Sequence, residues 1–100
     1  MFGTVARLRI KPGHQQALLD LQNSWNETRS PAANGAVASY VFQSDRDAEE
    51  CTLVAIFRDR ESYVANAEDP AQDAWYQQIR AHLQADPEWV DGEVISATTY

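Results

Sequence analysis

The residues best suited to handle an organic molecule cluster between positions 57 and 79, in the stretch FRDRESYVANAEDPAQDAWYQQI. Tyr63, Asn66, Trp75 and Tyr76 combine flat apolar surface with hydroxyl, amide or indole tips, a mixture that grips a planar, partly polar ligand. Tyr63 and Asn66 are three residues apart, so a helix presents both on one face just before Asp69-Pro70. An amide at 66 can donate to a substrate oxygen or to bound dioxygen, and phenols at 63 and 76 can orient a phenolic substrate or shuttle a proton. These three are the candidate catalytic residues. Trp25 and Trp75 are candidate walls of a substrate pocket, with Phe42 or Phe57 as its floor. Each also has a plainer reading, since an Asn near a helix end often bonds backbone and large aromatics often simply fill a core.

Other chemistries find little support. His14 and His82 are far apart in sequence and belong to no metal-ligand spacing, so both are read as surface residues. Cys51 is the single cysteine, which rules out an intrachain disulfide and a cysteine-rich metal site and leaves a small buried strand residue. Gly3, Gly13, Gly35 and Gly92 are scattered and form no phosphate cradle. No metal, flavin or nicotinamide cofactor is therefore expected. Fifteen acidic against eight basic side chains give a formal charge of −7, which repels nucleic acid and anionic lipid surfaces. No apolar run approaches the roughly 20 residues of a membrane helix, and the opening MFGTVARLRI enters a strand pattern directly. The expected location is the cytoplasm, with neither membrane nor nucleic acid as a partner.

The elements that must position these residues can be read in chain order. Residues 2–10 alternate, with Phe2, Thr4, Ala6, Leu8 and Ile10 on one face, which argues a strand. Lys11-Pro12-Gly13 ends it, and Pro12 suits the first turn of a helix predicted over 12–29, with Ala17, Leu18, Leu21, Trp25 and Thr28 inward. The cluster 30–35, SPAANG, is a turn. Strands are expected at 36–43 and 51–58, both apolar on two faces, joined by the charged tip SDRDAEE. Asp59 caps a helix that Asp69-Pro70 breaks and that resumes to about 85. Asp91-Gly92 is read as a turn into a last strand over 93–99.

At 100 residues, 44% hydrophobic and 23% charged, the chain suits a single globular domain over 1–100. Its β-α-β-β-α-β order is that of an α+β ferredoxin-like sandwich, with both helices on one face of a four-stranded antiparallel sheet. The opposite face then carries apolar side chains that a second copy of the chain is expected to cover.

The run Lys11-Pro12-Gly13, the paired middle strands, Phe57-Arg58-Asp59-Arg60-Glu61-Ser62-Tyr63 and Pro87-Glu88-Trp89 resemble the antibiotic biosynthesis monooxygenase domains of the dimeric α+β barrel superfamily. The resemblance implies a homodimer with two sheets face to face. It places Tyr63 where quinone-forming members carry a tyrosine, while their strand asparagine and tryptophan stand here as Leu53 and Phe57. The positions that serve haem-degrading members hold Ala6, Asn66 and Tyr76, which argues against haem held by imidazole. The implied function is a cofactor-independent monooxygenase acting on a small aromatic molecule such as a phenol, hydroquinone or anthrone. The alternative is a non-catalytic dimer of the same fold that binds a small hydrophobic ligand.

Overall fold

The structure, a computed structural model, describes residues 1–29 and 34–100. Its elements are β1 (Phe2–Arg9), α1 (Gln15–Arg29), β2 (Ala36–Gln43), β3 (Glu50–Phe57), α2 (Arg60–Glu68), α3 (Pro70–Arg80) and β4 (Glu88–Glu93). The strands form one antiparallel sheet in the order β2-β3-β1-β4, the ferredoxin-like α+β arrangement expected from the sequence. Alternation along β1 buries Phe2, Thr4, Ala6 and Leu8 and leaves Val5, Arg7 and Arg9 exposed. The core forms where Ala6, Leu8 and Ile10 meet Cys51 of β3, Leu18 of α1 and Ile79 of α3, closed by Leu83. Burial of this apolar surface is the main stabilising contribution to the fold.

The helical break at Asp69 is explicit. Asp69 ends α2 with its N–H donating to the Asn66 carbonyl at 3.2 Å, and its carboxylate caps α3 by accepting from the Ala71 N–H at 2.9 Å. Its ψ of 122° turns the chain between the two helices, as expected before proline. At the other end of α2, the Asp59 carboxylate accepts from the Ser62 N–H at 2.7 Å.

Beyond shifts of one residue at strand ends, three boundaries and one internal feature differ from the sequence reading. Helix α1 begins at Gln15 because Gly13 has φ 81°, outside helical space, so Pro12 sits in the preceding turn. Helix α3 stops at Arg80 rather than near 85. His82 and Leu83 donate to carbonyls only three residues back, and Gln84 N–H then donates to Arg9 O at 2.7 Å, which draws the chain into the sheet. Strand β4 runs over Glu88–Glu93 rather than 93–99, because Trp89 and Val90 pair with Ala6 and Val5. Asp91 and Gly92, read as a turn, are mid-strand opposite Thr4 and Gly3. The fourth difference is internal to β2. A bulge between Ala36 and Ala38 flips the alternation, so Tyr40 and Phe42 leave the face that Ala36 occupies opposite Phe57.

Of the turn expected at 30–35, residues 30–33 lie outside the described part. Gly35 follows with φ 92°, and a Cβ there would run into the Ser62 side chain. The acidic tip between β2 and β3 folds back on the sheet, with Asp47 2.6 Å from Arg9, and Glu50 at the start of β3 lies 2.5 Å from Arg7. These pairs are exposed and contribute little to stability.

Candidate functional site

A cavity of about 590 Å³ lies between the helices and the sheet, a volume suited to a small organic ligand. The kink at Asp69 helps to open it, because α2 and α3 meet there at an angle instead of forming one continuous helix. Trp25 of α1 and Trp75 of α3 make one wall, stacked with centroids 5.0 Å apart and planes 29° apart. The Trp75 indole N–H donates to the Leu21 carbonyl at 3.0 Å, which fixes the ring between the two helices. At the same end the Arg29 guanidinium lies 5.2 Å from the Trp25 ring centre and 2.8 Å from the Asp69 carboxylate.

Across the cavity, Tyr63 of α2 packs on Phe2 at 5.1 Å and edge-on to Phe57 at 5.6 Å. Burial is the main reason its phenol is pushed above the usual tyrosine range; the nearby Asp91 carboxylate adds to the rise, and the neighbouring Thr4 hydroxyl opposes it. Thr4 in turn donates to Asp91 Oδ1 at 2.6 Å. Tyr76 of α3 faces Trp89 of β4 at 6.3 Å. Its phenol is also raised, first by burial and then by the Asp86 carboxylate, with Arg80 acting the other way. Both tyrosines therefore stand as neutral phenols, able to donate and to accept. Asn66 lines the cavity half-buried, and among the described residues its side-chain amide has no hydrogen-bond partner.

The structure thus brings Trp25, Phe57, Tyr63, Asn66, Trp75 and Tyr76 to one cavity. Phe42 is not among them. It is 56% exposed on the sheet face away from the helices, where the β2 bulge has turned it. Sequence reasoning missed Thr4, Trp89 and Asp91, which form the β1–β4 side of the cavity. Two signals were present, a polar Thr4 in phase with the otherwise apolar stripe of β1 and the two-residue step from Trp89 to Asp91. The histidines are not isolated surface residues. His14 and His82 are half-buried with Nδ1 atoms 2.9 Å apart, joining the start of α1 to the end of α3 away from the cavity. Among the described residues no cluster of three or more His, Cys, Asp or Glu side chains could hold a metal ion, and no helix is long and apolar enough to cross a membrane.

A ferredoxin-like α+β sandwich with an aromatic-walled cavity between its layers is the class of protein these features define. Within that class the family model described as antibiotic biosynthesis monooxygenase matches residues 1–78, and the chain belongs to that family. Similar solved structures include one described as an antibiotic biosynthesis monooxygenase, with TM-score 0.77 and 20% identity over 96% of this chain and 100% of the other. A conserved Methanosarcina mazei protein has TM-score 0.80 and 19% identity over 91% and 89%. A Mycobacterium tuberculosis protein has TM-score 0.79 and 16% identity over 98% of both chains. At such identities the likeness shows the shared fold alone. No curated protein matches the sequence.

Proposed function

We propose that the protein is a cofactor-independent monooxygenase of a small aromatic substrate bearing an acidic hydroxyl or an activated CH₂, of the phenol, hydroquinone or anthrone kind. The observation that carries this reading is the cavity itself, flat tryptophan surface on one side and uncharged phenol and amide groups on the other. Family membership supports it at the level of class. Loss of a proton makes such a substrate an electron-rich anion, and Asn66, Tyr63 and Tyr76 supply hydrogen-bond donors for the charge that develops. The anion itself reduces dioxygen. For an anthrone-like CH₂ the balance is ArCH₂ + O₂ → ArC=O + H₂O, in which two C–H bonds break, one oxygen atom enters the carbonyl and the other leaves as water. No external reductant is required.

The working unit of this proposal is a homodimer. The sheet face opposite the helices exposes Val5, Tyr40, Phe42 and Val90, an apolar surface unusual on a lone subunit. A second copy, sheet against sheet, would cover it.

The test is oxygen uptake with a panel of anthrones and hydroquinones, paired with titration of the cavity tryptophans by fluorescence. Saturable uptake above uncatalysed autoxidation is the expected result. Ligand binding without uptake across the panel would instead favour the non-catalytic binding protein.

A further inference from the structure

The β1–β4 side of the cavity holds polar groups, Thr4 and Asp91, that stand beside Tyr63 and have no part in the reaction proposed above. Thr4, Tyr63 and Asp91 come from β1, α2 and β4, all line the cavity, and the Asp91 carboxylate accepts from the Thr4 hydroxyl at 2.6 Å. Strand β4 is the sheet edge and is exposed along its whole length, so Asp91 has one side in the cavity and the other toward water. We infer that Asp91 is a positioning and relay residue that holds the Tyr63 hydroxyl and carries the substrate's proton out of the cavity to solvent. The inference deepens the oxygenase reading and rests on it.

The step balances simply. The substrate O–H bond, which for an anthrone is that of its enol tautomer, breaks and its proton passes to the Tyr63 oxygen, while the proton Tyr63 held passes to an Asp91 carboxylate oxygen. The electron pair of the broken bond stays on the substrate as phenolate or enolate, and Asp91, now neutral, returns a proton to water at the β4 edge. Tyr63 ends as the neutral phenol it was at the start, and the elevated position of its phenol is consistent with that role. Thr4 fixes the carboxylate, since its hydroxyl binds Asp91 Oδ1 at 2.6 Å and reaches the Val90 carbonyl only at 3.4 Å.

The surrounding charges leave the task to Asp91. The charged side chains lining the cavity are Arg29, Asp69 and Asp91, and the first two pair with each other at 2.8 Å. From α2, Arg60 lies over the outer Phe2 ring at 5.9 Å; from α3, Tyr76 faces Trp89 and is influenced by Asp86 and Arg80. On β4 itself Glu88 and Glu93 flank the exposed strand, opposite Arg7 and Phe2. Among the described residues, Asp91 is the cavity carboxylate without a cationic partner.

The experiment compares wild-type protein with Asp91→Asn, Asp91→Glu, Tyr63→Phe and Asp91→Asn/Tyr63→Phe, measuring oxygen uptake on an anthrone against pH and binding by tryptophan fluorescence. Asn keeps size and polarity at an exposed edge position, so folding should survive. Asp91→Asn is expected to lower turnover near neutral pH by about a hundredfold, within the usual range for a positioned proton acceptor, with affinity changed less than about threefold. Its turnover should then climb about tenfold per pH unit, because only substrate already ionised in solution reacts, whereas the wild-type profile is flatter. Asp91→Glu should recover part of the rate, and the double variant should be no worse than Tyr63→Phe, as befits one relay. An Asp91→Asn protein with wild-type turnover and pH profile overturns the relay and leaves the oxygenase reading standing. Absence of turnover in wild-type protein across the panel overturns both.

Discussion

Replacing Asn66 by alanine should move stability and ligand handling in opposite directions. Asn66 sits inside α2, where Ala is the better helix former by roughly 0.5 kcal/mol, and its side-chain amide has no protein partner among the described residues to lose. Its backbone carbonyl, which accepts from the Asp69 N–H at 3.2 Å, is untouched by the change. The expected stability change is therefore between zero and about +0.5 kcal/mol, a rise in Tm of up to roughly 4 °C for a domain of this size. In the reaction proposed above the same substitution removes a hydrogen-bond donor to the substrate. A hydrogen bond to a neutral group is worth about 1 kcal/mol and one to an anion about 1.5–3, so turnover should fall at least about tenfold if the reacting species is the anion. Thermal unfolding and oxygen uptake on the same preparation give both numbers. A Tm lowered by several degrees with uptake intact would refute the reasoning and make Asn66 a structural element of the α2 end.

Other consequences can be checked directly. Leu83 is 1% exposed and closes the core beyond α3, so Leu83→Ala should destabilise by about 2–5 kcal/mol in urea unfolding, and a loss below about 1 would show that this segment is only loosely attached. The Asp59 carboxyl is held below its ordinary value, first by its hydrogen bonds from Ser62 and then by Arg58. The folded state thus binds that proton less readily than the unfolded one, and the contribution is fully present above the ordinary value near 4 and lost as pH falls through the folded value. The stability gap between wild-type and Asp59→Ala protein should accordingly shrink as pH is lowered below about 4 in denaturant melts; a constant gap would contradict the capping account. Phe42→Glu should dissociate the proposed dimer, read by light scattering as a mass near 11.2 kDa, whereas a wild-type mass already at 11.2 kDa would remove the dimer.

How much of this was legible in the sequence depends on whether a pattern was local. The alternation of β1 and the Asp69-Pro70 break are written in a few adjacent residues, and the structure reproduces both because each rests on backbone geometry that tertiary contacts do not easily override. The pairing of Tyr63 with Asn66 on one helical face belongs to the same kind. Phe42 shows the opposite case. With apolar residues on both sides of β2, periodicity could not choose a face, and one extra residue at the bulge moved the ring out of the cavity.

The last strand was the harder problem, and it concealed the most chemistry. Asp-Gly is a strong turn signal when read locally, yet Gly92 here lies opposite Gly3, whose own Cβ would stand 2.7 Å from Ile56 Cδ1. Gly3 is crowded by β3, whereas a Cβ at Gly92 would meet nothing within 4 Å, so what places Gly92 in the strand is its pairing with β1, with partners nearly 90 residues distant that no window of sequence contains. Reading Asp91-Gly92 as a turn moved the strand five residues along and discarded Trp89 and Asp91 as loop residues. Restoring the register puts Asp91 beside Thr4 and turns two unremarkable polar residues, 87 positions apart, into one side of the cavity.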